Sequence, residues 1–163
     1  MKAHLAYAKY VFLHKLFVFL ACFKMKVPIH LALWHDMSKF TPTEWTPYVY
    51  QFFNTDGSKR NVRDASGAYD PNKQSIDFQK AWLHHQKLKH HWQSWVSIGD
   101  GGSLNALPIP EIYLREMIAD WIGAGRANGK ADPHGWYVGN RHNLILHPES
   151  RRMLEKLLLD LVM

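Results

Sequence analysis

Residues 3–25 (AHLAYAKYVFLHKLFVFLACFKM) carry the longest helical pattern in the chain. Apolar side chains recur along it at steps of three and four, the spacing of one helix face: Leu5, Ala8, Phe12, Leu16, Phe19 and Phe23. A second, mostly apolar face has two tyrosines and one histidine as its polar members: Tyr7, Tyr10, His14, Phe17, Val18 and Ala21. Because a helix that is apolar on two faces must bury both, we expect this helix to be largely buried.

Five further helices are predicted from periodicity, proline positions and caps. They cover residues 29–37, 41–53, 76–96, 111–124 and 148–161, and the third is expected to begin with a capping box formed by Thr41 and Glu44. Residues 54–75 are polar and predict a long loop, whereas residues 125–147 are expected to be irregular. No segment has a convincing strand pattern. The sequence therefore predicts an all-α fold, a compact single domain of about six helices over residues 1–163.

The composition limits the classes of protein that remain. The single cysteine, Cys22, excludes an internal disulfide framework and a cysteine-only metal cluster, so a cytoplasmic protein is expected. The longest charge-free run of the first segment, residues 16–23, is far short of the ~20 residues that span a bilayer, and we expect no membrane partner. The net charge of +6, with six lysines against Asp36 alone in residues 1–40, favours an anionic partner.

Two candidate metal-ligating residues, His35 and Asp36, are adjacent at the predicted end of an apolar helix, with Lys39 close behind. Imidazole nitrogen and carboxylate oxygen are ligands for Mn, Fe, Co, Ni and Zn. Neighbouring residues in mid-helix point ~100° apart, but a loosened last turn lets both reach one ion. Lys39 would then contact a substrate phosphate. The alternative is that Asp36 caps a turn and His35 lies on the surface.

Four histidines occur within residues 84–91 (HHQKLKHH): His84, His85, His90 and His91. On an unbroken helix His84 and His91 share a face and lie about 10.5 Å apart along the axis, too far for one ion. They would then serve two ions, or one would bind metal and the other substrate, or the helix would kink near Lys89. His85 and His90 would point elsewhere. A solvated cationic face with core histidines is the alternative.

Two acids, Glu116 and Asp120, share a helix face at i and i+4 among apolar neighbours. A half-buried carboxylate there needs a metal or a cation, and a salt bridge to Arg115 or a lysine is the simpler explanation. His14 lies between Tyr10 and Phe17 on a helix face that is expected to be buried, where a core histidine is the alternative to a ligand. The sequence lacks Glu-x-x-His, His-Glu-x-x-His and the common glycine-rich phosphate loops, which argues against a ferritin-like di-iron bundle, a zincin and the common nucleotide folds.

The order His14, His35-Asp36, histidine cluster, Asp120 resembles the HD-domain metal-dependent phosphohydrolase superfamily, whose all-α members gather such ligands from separate helices. The segments HDMSKF (35–40), AWLHHQKLKHHWQSW (81–95) and EMIADW (116–121) resemble a family of uncharacterised bacterial and phage proteins, a domain of unknown function. The resemblance implies a metal set of His14, His35, Asp36, His84, His91 and Asp120.

The expected activity is hydrolysis of a nucleotide or other small phosphoester with one or two divalent ions (Mn, Fe, Zn, Co or Ni). Lys39 would stabilise negative charge, and Glu116, His85 or His90 would carry a proton. Two alternatives remain. One is a non-catalytic helical scaffold or adaptor with a structural histidine site. The other is an HNH-like nuclease built on residues 140–147 (NRHNLILH), although nucleic acid is not favoured because no ββα context is apparent.

Overall fold

The computed structural model describes residues 1–62 and 73–161. Within those ranges the chain forms seven α-helices: α1 Lys2–Lys24, α2 Ile29–Trp34, α3 Pro42–Phe52, α4 Ile76–His85, α5 Glu111–Ala127, α6 Pro133–Asn140 and α7 Pro148–Leu159. Short 3-10 turns lie at Met37–Phe40, Trp92–Trp95 and Arg141–Asn143. A small antiparallel hairpin joins β1 (Val96–Ile98) to β2 (Leu104–Ala106) with Ser97 opposite Asn105. The predicted all-α class is confirmed.

The prediction for residues 76–106 is wrong in two respects. The fourth helix ends at His85 instead of near residue 96, and the chain then turns before the hairpin. Tertiary and turn contacts replace the helical ones, since the indole of Trp95 donates to the Lys89 carbonyl (2.9 Å) and the Ser94 hydroxyl donates to the Lys87 carbonyl (3.2 Å). Gly102, at φ +79°, allows the hairpin turn where the sequence predicted only a helix end.

Two segments, residues 54–75 and residues 125–147, were predicted to be non-helical. Part of residues 125–147 is helical, because α5 continues to Ala127 and α6 begins at Pro133. The Asp132 side chain caps α6 by accepting from the Gly135 amide (2.7 Å), a signal that the sequence interpretation missed. Of the predicted loop 54–75, residues 63–72 lie outside the described residues, and an isolated bridge pairs Phe53 with Lys59.

Helix α1 runs through both hydrophobic clusters of the fold. Its first half packs on α3 and α4 in a cluster that includes Tyr7, Val11 and Phe78. Its second half packs on α5 and α7 in a cluster that includes Val18 and Leu154. The buried His14 lies on α1 between these two halves, so the polar interior site forms where the two clusters meet.

The expectation that α1 is largely buried is wrong. Only the face with Tyr7, Val11, His14 and Val18 is buried, and the opposite apolar face is exposed. By length and composition, α1 is the one helix of the described residues that could cross a membrane. One such helix is weak support for a membrane protein, because core helices of soluble proteins and signal sequences meet the same criterion.

Gly123 tests the close contact between α1 and α5. A Cβ atom at Gly123 would lie 2.3 Å from Val18 Cγ2 and 2.8 Å from the Val18 nitrogen. Gly123→Ala should therefore push the helices apart and lower the free energy of unfolding by about 1–3 kcal/mol, measured by chemical denaturation.

Gly139, in α6, is the matched control, because a Cβ there meets nothing within 4 Å. Gly139→Ala should be neutral or stabilise the protein by about 0.5–1 kcal/mol. Equal effects of the two substitutions would contradict the close helix contact.

Candidate metal centre

A break in the backbone brings His35 and Asp36 to the same interior site. Helix α2 ends at Trp34, His35 leaves it with ψ 128°, and Asp36 adopts the left-handed conformation at φ 56°. A non-glycine residue in that region is uncommon and is held there by its surroundings. The loosened helix end expected from the sequence is therefore present, and both adjacent side chains are buried.

Four side chains from three parts of the chain form the first ligand group: His14, His35, Asp36 and Asp120. His14 Nε2 lies 2.9 Å from Asp36 Oδ2 and 3.2 Å from Asp120 Oδ1. His35 Nε2 lies 3.5 Å and 3.4 Å from the same two oxygens. One atom from each residue lies within 4.8 Å of the others, so the group could hold a metal ion.

Asp36 also belongs to a second ligand group with His85, His90 and His91. Its other oxygen, Oδ1, lies 3.4 Å from His85 Nε2 and 3.3 Å from His90 Nε2. The His91 ring lies 4.7 Å and 4.3 Å, centre to centre, from the rings of His85 and His90. The two oxygens of one buried carboxylate thus face two different sets of imidazoles.

Three buried polar atoms of the second group make no hydrogen bond of acceptable geometry within the described ranges: Asp36 Oδ1, His90 Nε2 and His91 Nε2. Buried polar atoms are nearly always paired, so each exception needs an explanation. A cation among them would satisfy all three at once. This arrangement fits a metal ion better than it fits a dry core.

Burial and neighbouring charges set the protonation states of the possible ligands. Burial alone would raise the pKa of the Asp36 carboxyl, but the charges of His35, Lys39 and His85 hold that pKa well below its usual range. Burial, with the neighbouring His90 and His85, keeps the pKa of His91 well below its usual value. The site therefore presents an ionised carboxylate and a neutral His91. Burial alone would also lower the pKa of His14, His35 and His90, but the neighbouring carboxylates raise it, so these three rings must lose a proton to ligate a metal.

Two glutamates hold the histidine rings by their second nitrogens. Glu116 Oε1 lies 3.1 Å from His35 Nδ1 and 3.5 Å from His90 Nδ1, so it contacts one histidine of each ligand group. Glu44 Oε2 lies 2.9 Å from His85 Nδ1. Carboxylates in this position fix the tautomer and orientation of metal-ligating histidines. His35, His90 and Glu116 also form a third possible ligand group, which these contacts explain without another ion.

The sequence interpretation did not find Glu44 as a site residue. It assigned Glu44 to a capping box, but Thr41 makes no side-chain cap hydrogen bond and Glu44 is fully buried. Its other oxygen, Oε1, lies 2.7 Å from His84 Nδ1. A glutamate in the first turn of a helix is explained locally by capping. Only the burial of Glu44 beside two histidines shows that it also belongs to the site.

Among the four clustered histidines, the set that the structure places near Asp36 differs from the expected pair of metal ligands. His84 is half-exposed, bonds Glu44 and lies outside the groups that could hold a metal. His85 and His90, which were expected to carry protons, face Asp36 together with His91. The reason is the end of α4 at His85, because the turn that follows redirects His90 and His91 toward the interior.

Lys39 is buried beside Asp36, and its ammonium donates a hydrogen bond to Asp36 Oδ2. Burial alone would lower the pKa of Lys39, but Asp36 and Asp120 raise it above its usual value, so the side chain is charged. Asp120 is 16% exposed and is the most open member of the first ligand group. In the second ligand group, His91 is the member that is not fully buried.

Together these features define an all-α protein with a buried histidine–carboxylate centre that could bind metal. Residues 3–160 match the family of unknown function DUF5662, and the chain belongs to that family. A search of curated proteins returns no significant match, and a search of solved structures also returns none.

Glu116 offers a test of the site's geometry through metal affinity. Glu116→Gln keeps the size of the side chain but removes the charge that holds His35 and His90, so affinity for Zn²⁺ or Mn²⁺ should fall about 10–100-fold by calorimetric titration.

Glu111→Gln is the matched control on the same helix, because Glu111 is exposed and pairs with Arg115. It should leave affinity unchanged. Wild-type affinity in the Glu116 variant would show that the rings are held by other contacts.

Proposed function

We propose that the protein is a metal-dependent phosphohydrolase that uses two divalent ions, one in each ligand group. The observation that carries the proposal is the division of the Asp36 carboxylate between the two groups. A shared carboxylate suits two-metal sites, where ions about 3.5–4 Å apart clamp an in-line displacement at phosphorus. The donor atoms are imidazole nitrogens and carboxylate oxygens with no sulfur, a set that suits Mn, Fe, Co, Ni and Zn.

When bound, the ions would supply Lewis acidity and an activated water. The chain itself would supply the charge and the positioning. Lys39 carries a fixed positive charge next to the bridging carboxylate, where it would stabilise negative charge that develops on a phosphate. Glu116 and Glu44 would keep the ligating rings in place, a role that their contacts support better than proton transfer.

The substrate class we propose is a small anionic phosphoester, such as a nucleotide. The ligands are mostly buried, and only Asp120 and His91 are partly exposed, so a terminal phosphate would enter more readily than a phosphate within a polymer. The resemblance to HD-domain phosphohydrolases supports the same class.

The single buried Cys22, whose thiol has its pKa raised to about 12 by burial, suits the reducing cytoplasm.

A structural metal site is the second candidate, and the near-complete burial of the ligands favours it. The nuclease alternative gains no support. Residues 140–147 form the end of α6, a 3-10 turn and the cap of α7, whereas the hairpin of the described chain lies at residues 96–106.

Hydrolysis by the metal-loaded protein is the direct test. Purified protein loaded with Mn, Fe, Co, Ni or Zn should hydrolyse at least one substrate in a panel of mono-, di- and cyclic nucleotides. Lys39→Met should lower the rate about 10²–10³-fold, because one fixed charge at the reacting phosphate is removed.

Metal content and melting temperature of the loaded Lys39 variant should stay near wild type, since the ions neutralise Asp36. Lys80→Met, an exposed substitution on α4, is the control and should leave the rate unchanged. Bound metal without hydrolysis of any substrate would favour the structural site. An unchanged rate in Lys39→Met would remove Lys39 from the mechanism.

A further inference from the structure

The outer face of α1 carries a stripe of large apolar side chains in contact with solvent. The exposed fractions range from 49% to 65% for five residues: Leu5, Phe12, Leu16, Leu20 and Phe23. At ~100° per residue they fall within about 80° of arc, on the side opposite His14. We call these five residues the outer stripe. Contiguous exposed apolar surface of this kind marks an interaction site.

Helix α2 adds to this surface at the end of the stripe. Leu33 and Trp34 are 56% and 71% exposed. The Lys15 ammonium donates to the carbonyls of Leu33 and His35, which ties the end of α2 to α1. The ring of Phe12 lies 5.7 Å from that of Phe40 just beyond α2. The apolar surface therefore continues from one helix toward the next.

The charged residues of α1 and α2 are all basic. Neither helix contains an aspartate or a glutamate, and Lys2, Lys9 and Lys24 are exposed. Lys9 falls within the arc of the outer stripe itself, and Lys2 and Lys24 lie along one of its edges. An occupant of this surface must accept apolar side chains and positive charges together.

We propose that the outer stripe lies on an anionic lipid surface. A second copy of the chain would bring the same lysines against one another and would bury Lys9 with no acid of α1 or α2 to pair with. A lipid surface avoids both costs, because lysine stems lie along the apolar layer while their ammonium groups reach the phosphates. Cytoplasmic leaflets carry the anionic lipids that such a face would bind.

Contacts on the opposite face of α1 favour a helix that lies on the membrane over one that crosses it. His14 contacts Asp36 and Asp120, and Val18 packs where Gly123 allows close approach. Crossing a bilayer would remove these residues from the site and from the core. A helix that lies parallel to the surface keeps them in place and buries only the outer stripe. The sequence predicted no membrane partner because the charge-free run of residues 16–23 is too short to span a bilayer, and that criterion does not apply to a helix lying at the surface.

Vesicle sedimentation tests this proposal. Wild-type protein should pellet with vesicles of phosphatidylcholine mixed with phosphatidylglycerol, stay in the supernatant with phosphatidylcholine alone, and be released as salt is raised. A triple variant, Leu5→Gln with Leu16→Gln and Phe23→Gln, should lose binding. Ile98→Gln, a 73% exposed position on β1, is the matched control and should bind like wild type.

A second variant probes the charges separately. Replacing Lys2, Lys9 and Lys24 by glutamine should weaken binding roughly fivefold for each lysine. The metal content of every variant should equal that of wild type, because the site lies on the opposite face of α1; this readout is independent of any hydrolysis.

Three results would overturn the proposal. One is wild-type protein that stays in the supernatant with the anionic vesicles. Another is a triple glutamine variant at Leu5, Leu16 and Phe23 that binds as well as wild type. The third is wild-type protein that binds no vesicles and elutes as a dimer that this variant converts to a monomer, which would show that a second copy covers the stripe.

Discussion

The buried negative charge of Asp36 organises the interior of this protein. Removing a carboxylate from water costs several kcal/mol unless cations or hydrogen bonds compensate it. Here the compensation comes from four parts of the chain, because Lys39, His14, His85 and His90 all lie within reach of its two oxygens. The packing of α1, the loop after α2 and the turn after α4 around one point follows from this requirement.

The other acidic residues of the site take two kinds of position relative to the histidine rings. Asp120 faces the ligand nitrogens directly, whereas Glu116 and Glu44 lie behind the rings and contact their second nitrogens. His35, His85 and His90 therefore have a carboxylate oxygen near each of their ring nitrogens. A site with these contacts would be organised before an ion binds, which favours tight binding.

Much of this organisation could be predicted from the sequence. The helical pattern of α1, the Pro148 start of α7 and the spacing of Glu116 and Asp120 are local features, and the structure has the corresponding helices. Bringing His35, Asp36 and Asp120 together required only that apolar helices bury their polar residues at a common point. The structure places these three side chains side by side.

The predictions from sequence were wrong where tertiary contacts decide the structure and the local pattern allows more than one outcome. Residues 84–91 are compatible with a helix, but α4 ends at His85 and the turn that follows brings His90 to Asp36, a tertiary contact that the local pattern does not contain. Glu44 satisfies a capping pattern equally well, so its burial beside His85 could not be read from spacing. Periodicity showed that α1 has two apolar faces but could not show that one of them has no partner within the fold.

The proposal that Asp36 is shared between two ions is tested most directly by manganese binding and electron paramagnetic resonance. We expect wild-type protein to bind two Mn²⁺ per chain with an exchange-coupled spectrum, because ions that share a carboxylate would lie close together, as in two-metal sites with ions about 3.5–4 Å apart. Asp120→Asn should leave one uncoupled ion in the second ligand group. A single uncoupled Mn²⁺ in the wild type, or two ions without coupling, would contradict the account.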